Sequence, residues 1–314
     1  MQFIKPKFWD LKKPNLLSYL LLPFTIPVRI NNIFLDLKSK KKDQRIKTIC
    51  VGNIYVGGTG KTPSTIKLYQ LLNQQGYEVV TANKNYKKHL DEKIILEKKT
   101  ETISSKDRKE IIDKAISMKK KILIFDDGLQ DKKISYDIEF VCFDQKNWLG
   151  NGLLLPSGPL REKIKSLKKY SCVFLKKNGE DISNKIQLIK NINPNIKIFY
   201  THFEPLNIDQ FDKSEKYLIF SGIGNPNDFK SLLIKNKLNI IDEIIYPDHY
   251  MYNESDIIRI KKHANNLGAK IITTEKDYVK ISHLDKEDIN LLEVDLIIEN
   301  EKELTDFIKE KFHE

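Results

Sequence analysis

Cysteine is scarce: Cys50, Cys142 and Cys172 are the only three in 314 residues. Each lies in an apolar run that reads as a strand, and none is spaced as a metal or redox motif. Buried thiols in a reducing cytoplasm are therefore expected. Also missing is an apolar stretch of about 20 residues, the length that crosses a bilayer. The N-terminus lacks the clean apolar stretch ending in small residues that marks a cleavable signal peptide. No nucleic-acid recognition module is legible. Gly222 and Gly224 are too few for a dinucleotide fingerprint, and read as a tight turn with Pro226 near a helix start.

The chain is 40% hydrophobic, enough for one large core or two medium ones, and two α/β domains are the natural expectation. Its net charge of +11 suits nucleic acid, a membrane surface or a phosphorylated substrate, or is a lysine excess spread over solvated helix faces. Residues 15–30 are the most apolar part outside the expected strands. Pro23 and Pro27 predict a short helix over the leucines followed by a bent segment. Lys5, Lys7, Lys12 and Lys13 precede the run, and Arg29 and the lysines from Lys38 to Lys42 follow it. With Phe8 and Trp9, this composition fits a segment lying in the headgroup layer of an anionic membrane; the alternative is a helix packed on the protein's own core.

Residues 46–62 form a short β-branched run leading into Gly57, Gly58, Thr59, Gly60, Lys61 and Thr62, and helical apolar spacing follows to Gly76. Strand, glycine loop and helix in this order make a phosphate-binding loop. Backbone N–H groups wrap the phosphates, Lys61 neutralises β and γ oxygens, and Thr62 ligates magnesium. Tyr55 stands where the usual spacing has glycine, and Val56 replaces the lysine that marks many paired-glycine ATPases. Residues 119–128 form an apolar run ending in Asp126 and Asp127, which reads as a central parallel strand. Ligands collect at the carboxyl ends of such strands, so both aspartates are candidate magnesium ligands; a plain Asp-Asp-Gly turn is the alternative. Residues 217–224 and 269–277 each read as strand then loop, and predict a second, smaller parallel sheet.

Several separated motifs then agree. Val51-Gly52-Asn53, the glycine loop, Asp126-Asp127-Gly128-Leu129-Gln130, Leu155 to Glu162, Gly222 to Pro226, Asp248-His249 and Thr274-Glu275-Lys276-Asp277 together resemble the tetraacyldisaccharide 4'-kinase family, from about residue 15 to the C-terminus. The resemblance implies transfer of the ATP γ-phosphoryl, with Mg²⁺, to the 4'-hydroxyl of a tetraacylated glucosamine disaccharide 1-phosphate, giving lipid IVA. It implies a peripheral protein at the cytoplasmic face of the bacterial inner membrane, with no obligate protein partner and no nucleic acid. The implied fold is a P-loop kinase-like α/β/α sandwich with a second, smaller α/β/α unit and a short N-terminal interfacial helix. The expected divisions are 1–45, 46–200 and 201–314.

The resemblance also assigns roles. Arg161 presents a cation to phosphate and Glu162 a carboxylate to magnesium, an ordinary surface ion pair being the alternative. His249 acts as base on the acceptor hydroxyl, and Asp91 fixes its tautomer, the two meeting across a cleft between the units. Two departures from the family stand out. The run Asn83-Lys84-Asn85-Tyr86 differs from the usual Ser-Arg-Gly-Tyr-Gly, and Asp131 takes the place of a histidine. Lys276 is open between a substrate phosphate and an ion pair with Glu275 or Asp277. The rival function is a membrane-associated partitioning-type regulatory ATPase, against which Val56 counts.

Overall fold

The computed structural model describes residues 5–37, 42–84, 90–131 and 134–313. In chain order the elements are α1 (Leu16–Leu20), α2 (Ile26–Leu37), β1 (Lys47–Gly52), α3 (Lys61–Gln74), β2 (Val79–Lys84), α4 (Leu90–Lys99), β3 (Thr102–Ser105), α5 (Arg108–Ser117), β4 (Ile122–Asp126), β5 (Ile138–Asp144) and β6 (Cys172–Lys176). There follow α6 (Ser183–Ile192), β7 (Lys197–Pro205), β8 (Lys216–Ser221), α7 (Pro226–Lys235), β9 (Asn239–Ile245), α8 (Glu254–Leu267), β10 (Lys270–Thr274), α9 (Glu275–Lys280), β11 (Ile289–Leu292), β12 (Val294–Ile298) and α10 (Glu301–His313). They form two compact units. The larger comprises the described parts of Lys5–Asn85, Lys99–His202 and Ile298–Glu314; the smaller comprises Phe203–Ile297 and the described part of Tyr86–Lys98.

The large sheet has the order β12-β7-β6-β5-β1-β4-β2-β3, and β1 runs parallel to both β4 and β5. Alternate residues point to opposite faces, so each β-branched strand feeds two cores. Cys50, Leu123, Phe125, Val141 and Phe143 pack under Ile111, Ile112 and Ala115 of α5 on one face. On the other, Ile49, Val51, Ile124 and Phe140 meet Leu68, Leu71 and Leu72 of α3 and Leu304, Phe307 and Ile308 of α10. Phe140 and Phe174 stack with ring centroids 4.5 Å apart. This is the expected α/β/α sandwich. The three cysteines lie in β1, β5 and β6, all buried and free. Burial pushes the Cys142 thiol up to about 12, and those of Cys50 and Cys172 well above their ordinary value.

The smaller unit repeats the plan on a four-stranded parallel sheet of order β11-β10-β8-β9. Leu218, Phe220 and Ile271 pack against Ile257, Ile260 and Ala264 of α8, while Tyr217, Ile219 and Ile272 pack against Phe229 and Leu233 of α7. Pro226 occupies the first turn of α7, as read from sequence. One placement differs from expectation. Helix α4, assigned by sequence to the nucleotide-binding division, groups up to Lys98 with the smaller unit.

The N-terminal segment folds as α1, a 3₁₀ turn over Leu22–Thr25, and α2. The bent stretch expected after the leucines is thus a twelve-residue helix. Pro27 falls in its first turn, where the missing N–H has no helical partner to lose. Among the described residues, no helix is long and apolar enough to cross a membrane. Lys38, Lys40 and Lys41, counted above as flanking charge, lie outside the described residues, as do Asn85 and Tyr86 of the altered run.

Candidate functional site

In the larger unit, β1 delivers the chain to the glycine loop at its carboxyl end. Asn53 Nδ2 donates to Thr59 Oγ1 (2.9 Å) and to the Gly57 carbonyl (3.3 Å), folding the loop back on its own start. Gly57 and Gly60 take φ of 137° and 84°, left-handed values that favour glycine. Gly60 then caps α3, whose first residues are Lys61 and Thr62. Tyr55, the departure from the usual spacing, is wholly buried, and its hydroxyl donates to Asp10 Oδ1 (2.7 Å). A glycine there would leave that volume empty.

Beside the loop, β4 ends in Asp126, paired in register with Val51 of β1. Asp126 Oδ2 accepts from Thr62 Oγ1 (2.8 Å) and Oδ1 from Thr65 Oγ1 (3.3 Å), so the two candidate magnesium-holding groups touch. Asp127 turns the chain with φ 54°, its N–H donating to the Val51 carbonyl (2.8 Å). Its carboxylate faces Arg161 Nη1 at 2.9 and 3.2 Å and Lys61 Nζ at 3.9 Å. Burial raises its pKa, but the Lys61 and Arg161 cations outweigh that and hold it below the ordinary carboxylate value.

Arg161 and Glu162 are more than an ordinary surface pair. Arg161 Nη1 also donates to Gln130 Oε1 (3.0 Å), and Gln130 Nε2 donates to Glu162 Oε1 (3.0 Å). Glu162 accepts further from the Tyr170 hydroxyl (2.8 Å) and pairs with Lys169 Nζ (2.8 Å), so any metal there joins donors already in place. Sequence reasoning passed over Arg108, which donates to the Asp127 carbonyl (3.3 Å) and stands 3.0 Å from Asp131. The carboxylate that takes the place of the family's histidine is thus an arginine partner. Leu129 is buried against Gly52, filling apolar space.

In the smaller unit, His249 Nδ1 lies 3.0 Å from both oxygens of Asp91. The expected pair forms, but inside one unit, because α4 carries Asp91 there. His249 has φ 58°, and its N–H reaches the Gly222 carbonyl (3.2 Å). Asp91 is buried, and Lys276 and Lys280 stand 3.7 and 3.9 Å from its Oδ2. Burial raises the Asp91 pKa; the His249 hydrogen bond and these two cations overcome it and hold the carboxyl well below its usual range. An ionised Asp91 makes Nδ1 the donor, which leaves the Nε2 lone pair as acceptor.

Lys276 pairs with Glu92 (3.1 Å) and Asp248 (3.4 Å). These carboxylates and Asp91 hold it ionised against burial. Of its two readings, an ion pair is observed, with partners other than those expected. Asp277 instead closes the first turn of α9, accepting from Thr274 Oγ1 (2.6 Å), Gly222 N–H (2.9 Å) and the Tyr252 hydroxyl (2.9 Å) and pairing with Lys280 Nζ (2.8 Å). Lys280 was not foreseen. Its signal was present in the sequence: it lies four residues after Lys276, on the same helix face.

A family profile described as tetraacyldisaccharide-1-P 4'-kinase matches residues 15–100 and 78–313. The tetraacyldisaccharide 4'-kinase of Pelagibacter ubique (strain HTCC1062) is 48% identical over 307 residues, 97% of each chain. That of Rickettsia canadensis (strain McKiel) is 34% identical over 99% of this chain and 98% of its own. The crystal structure of Aquifex aeolicus LpxK in complex with ATP superposes with a TM-score of 0.69 at 23% identity, covering 95% of this chain and all of that one. That last likeness speaks to the fold.

Proposed function

This chain belongs to the tetraacyldisaccharide-1-P 4'-kinase family, and we propose from that premise that it transfers the γ-phosphoryl of ATP to the 4'-hydroxyl of a tetraacylated glucosamine disaccharide 1-phosphate, yielding lipid IVA. The observation that carries the reading to a hydroxyl acceptor is His249, oriented through Nδ1 by the buried Asp91. A partitioning-type ATPase would need no such base, and Val56 replaces its signature lysine.

Phosphoryl transfer depends on alignment and charge neutralisation more than on covalent help. Gly57, Gly58, Thr59 and Gly60 offer backbone N–H groups to the phosphates, and Lys61 and Arg161 supply cations for the transferred group. His249 Nε2 takes the proton of the acceptor hydroxyl, and Asp91 stabilises the imidazolium that results. Thr62, Asp126 and Asp127 offer hard oxygens suited to Mg²⁺, with Glu162 a further carboxylate. Bound there, the ion would offset charge on the phosphates.

The substrate's four acyl chains keep it in a bilayer, so the protein works at the cytoplasmic face of the inner membrane. Leu16, Leu20, Phe24, Ile33 and Phe34 are each at least 60% exposed, beside exposed Lys7, Lys12, Lys13 and Arg29. Exposed apolar side chains among basic ones suit an anionic lipid surface, each lysine adding on the order of 1 kcal/mol.

The test is incubation with [γ-³²P]ATP, Mg²⁺ and the tetraacyldisaccharide 1-phosphate in detergent, with chromatographic separation of the lipids. A labelled bisphosphorylated lipid is expected. His249→Ala should slow its formation about 100-fold or more with ATP affinity spared, whereas Lys61→Ala damages both. Absence of labelled lipid, under conditions where a lipid A kinase of known activity makes it, sinks the proposal.

A further inference from the structure

The apolar N-terminal segment is bonded into the phosphate-loop site of its own unit. Trp9 is buried, and its Nε1–H donates to the Pro156 carbonyl (3.0 Å). Asn151 joins the same turn to the segment, its N–H donating to the Trp9 carbonyl (2.9 Å) and its Nδ2 to Ser18 Oγ (3.1 Å). On α2, Asn32 Nδ2 donates to the Arg161 carbonyl (2.9 Å). One turn later, Asp36 pairs with Lys169 (2.9 Å), the lysine that also pairs with Glu162.

Arg161 is therefore clamped at both ends of its backbone. Its N–H donates to the Ile54 carbonyl (2.7 Å), which ties it to the chain entering the glycine loop. Its carbonyl is fixed by Asn32. A guanidinium on a flexible side chain is placed accurately only when its Cα is, and here the side chain must reach Asp127 and Gln130 together. Meanwhile Ile26, Ile30, Ile33 and Phe34 of α2 stay exposed. At 100° per residue they occupy a different stripe of the helix from Asn32 and Asp36.

We infer that Asn32 is a positioning residue for Arg161, and that α2 thereby joins contact with a lipid surface to the placement of the phosphate-binding arginine. The inference rests on the kinase reading above. Anything that lifts α2 from the Pro-Leu-Arg-Glu turn loosens Arg161, while the glycine loop and Lys61, held by β1 and α3, stay in place.

The test compares Asn32→Ala and the nearly isosteric Asn32→Asp, which has no N–H to donate, in the labelled-lipid assay and in co-sedimentation with phosphatidylglycerol vesicles. Expected are a fall in kcat of about 3- to 10-fold in both variants, the equivalent of one hydrogen bond, with KM for ATP and vesicle binding changed less than about twofold. Asn32→Gln should recover part of the loss. In an Arg161→Ala background, Asn32→Ala should cost nothing more, because a residue acting through Arg161 has nothing left to position. Wild-type kcat in Asn32→Asp, equal losses with and without Arg161, or a defect confined to vesicle binding would each overturn the role. A wild-type protein that forms no labelled lipid speaks against the kinase reading itself, and removes this role with it.

Discussion

Asp91 is the residue where charge and burial conflict most sharply. A buried carboxyl tends towards the neutral form, yet His249, Lys276 and Lys280 hold this one ionised. A folded-state pKa below the unfolded value means stabilisation that is fully present above about pH 4, the ordinary carboxylate value, and is lost as acid protonates the folded group. Asp91→Asn should therefore destabilise the protein by about 3 kcal/mol near neutrality. Urea titrations of both proteins should show the gap between them narrowing below about pH 4. A gap that is constant from pH 7 to pH 3 would mean that the carboxylate's charge contributes nothing. His249 was legible because a histidine after Pro-Asp matched a family motif. Lys280 was overlooked: its place one turn after Lys276 hints at a shared helix face, but its burial and its pairing with Asp277 and the distant Asp91 come from the fold.

At the scale of elements, strand-loop-helix order and β-branched runs announced β1, α3, β4, β8 and β10, since each is fixed by local pattern and by what its end must do. The N-terminal segment was harder to read. Its apolar residues and prolines suggested one short helix, and no local rule separates an exposed leucine from one packed inward. The structure divides the two: Trp9, Ser18 and Thr25 are buried, while Leu16, Leu20, Phe24 and Phe34 are exposed. Removing residues 1–30 would take away the buried set and every exposed residue named here but Phe34, and so would damage the Pro156 turn along with most of any lipid contact. A cleaner experiment replaces Leu20, Phe24 and Phe34 together with serine. Because these side chains are exposed, thermal stability should stay within about 1 kcal/mol of wild type, while binding to phosphatidylglycerol vesicles should fall at least tenfold. Unchanged vesicle binding would show that the exposed stripe has another purpose.

Across the whole molecule, the strand-loop signals in the second half were enough to foresee a second parallel sheet, and the family resemblance implied two α/β/α units. Allegiance was not foreseeable in the same way. Helix α4 lies between two strands of the large sheet in sequence but groups with the smaller unit, a consequence of packing that periodicity does not encode. The Asp91–His249 pair followed it there. Membership decided by tertiary contacts also explains why Asp127, Arg161, Gln130 and Glu162 make one network although two separate motifs supply them.

The three cysteines have a practical consequence. All lie inside the large sheet with thiols pushed far from the reactive range, so the folded chain has no reactive thiol to offer a maleimide. A single cysteine introduced at exposed Leu20 should be labelled stoichiometrically by a fluorescent maleimide at pH 7, while the unaltered protein takes up dye only on denaturation. The natural sequence thus provides a spectroscopically silent background, in which one dye can report whether the N-terminal helices enter lipid.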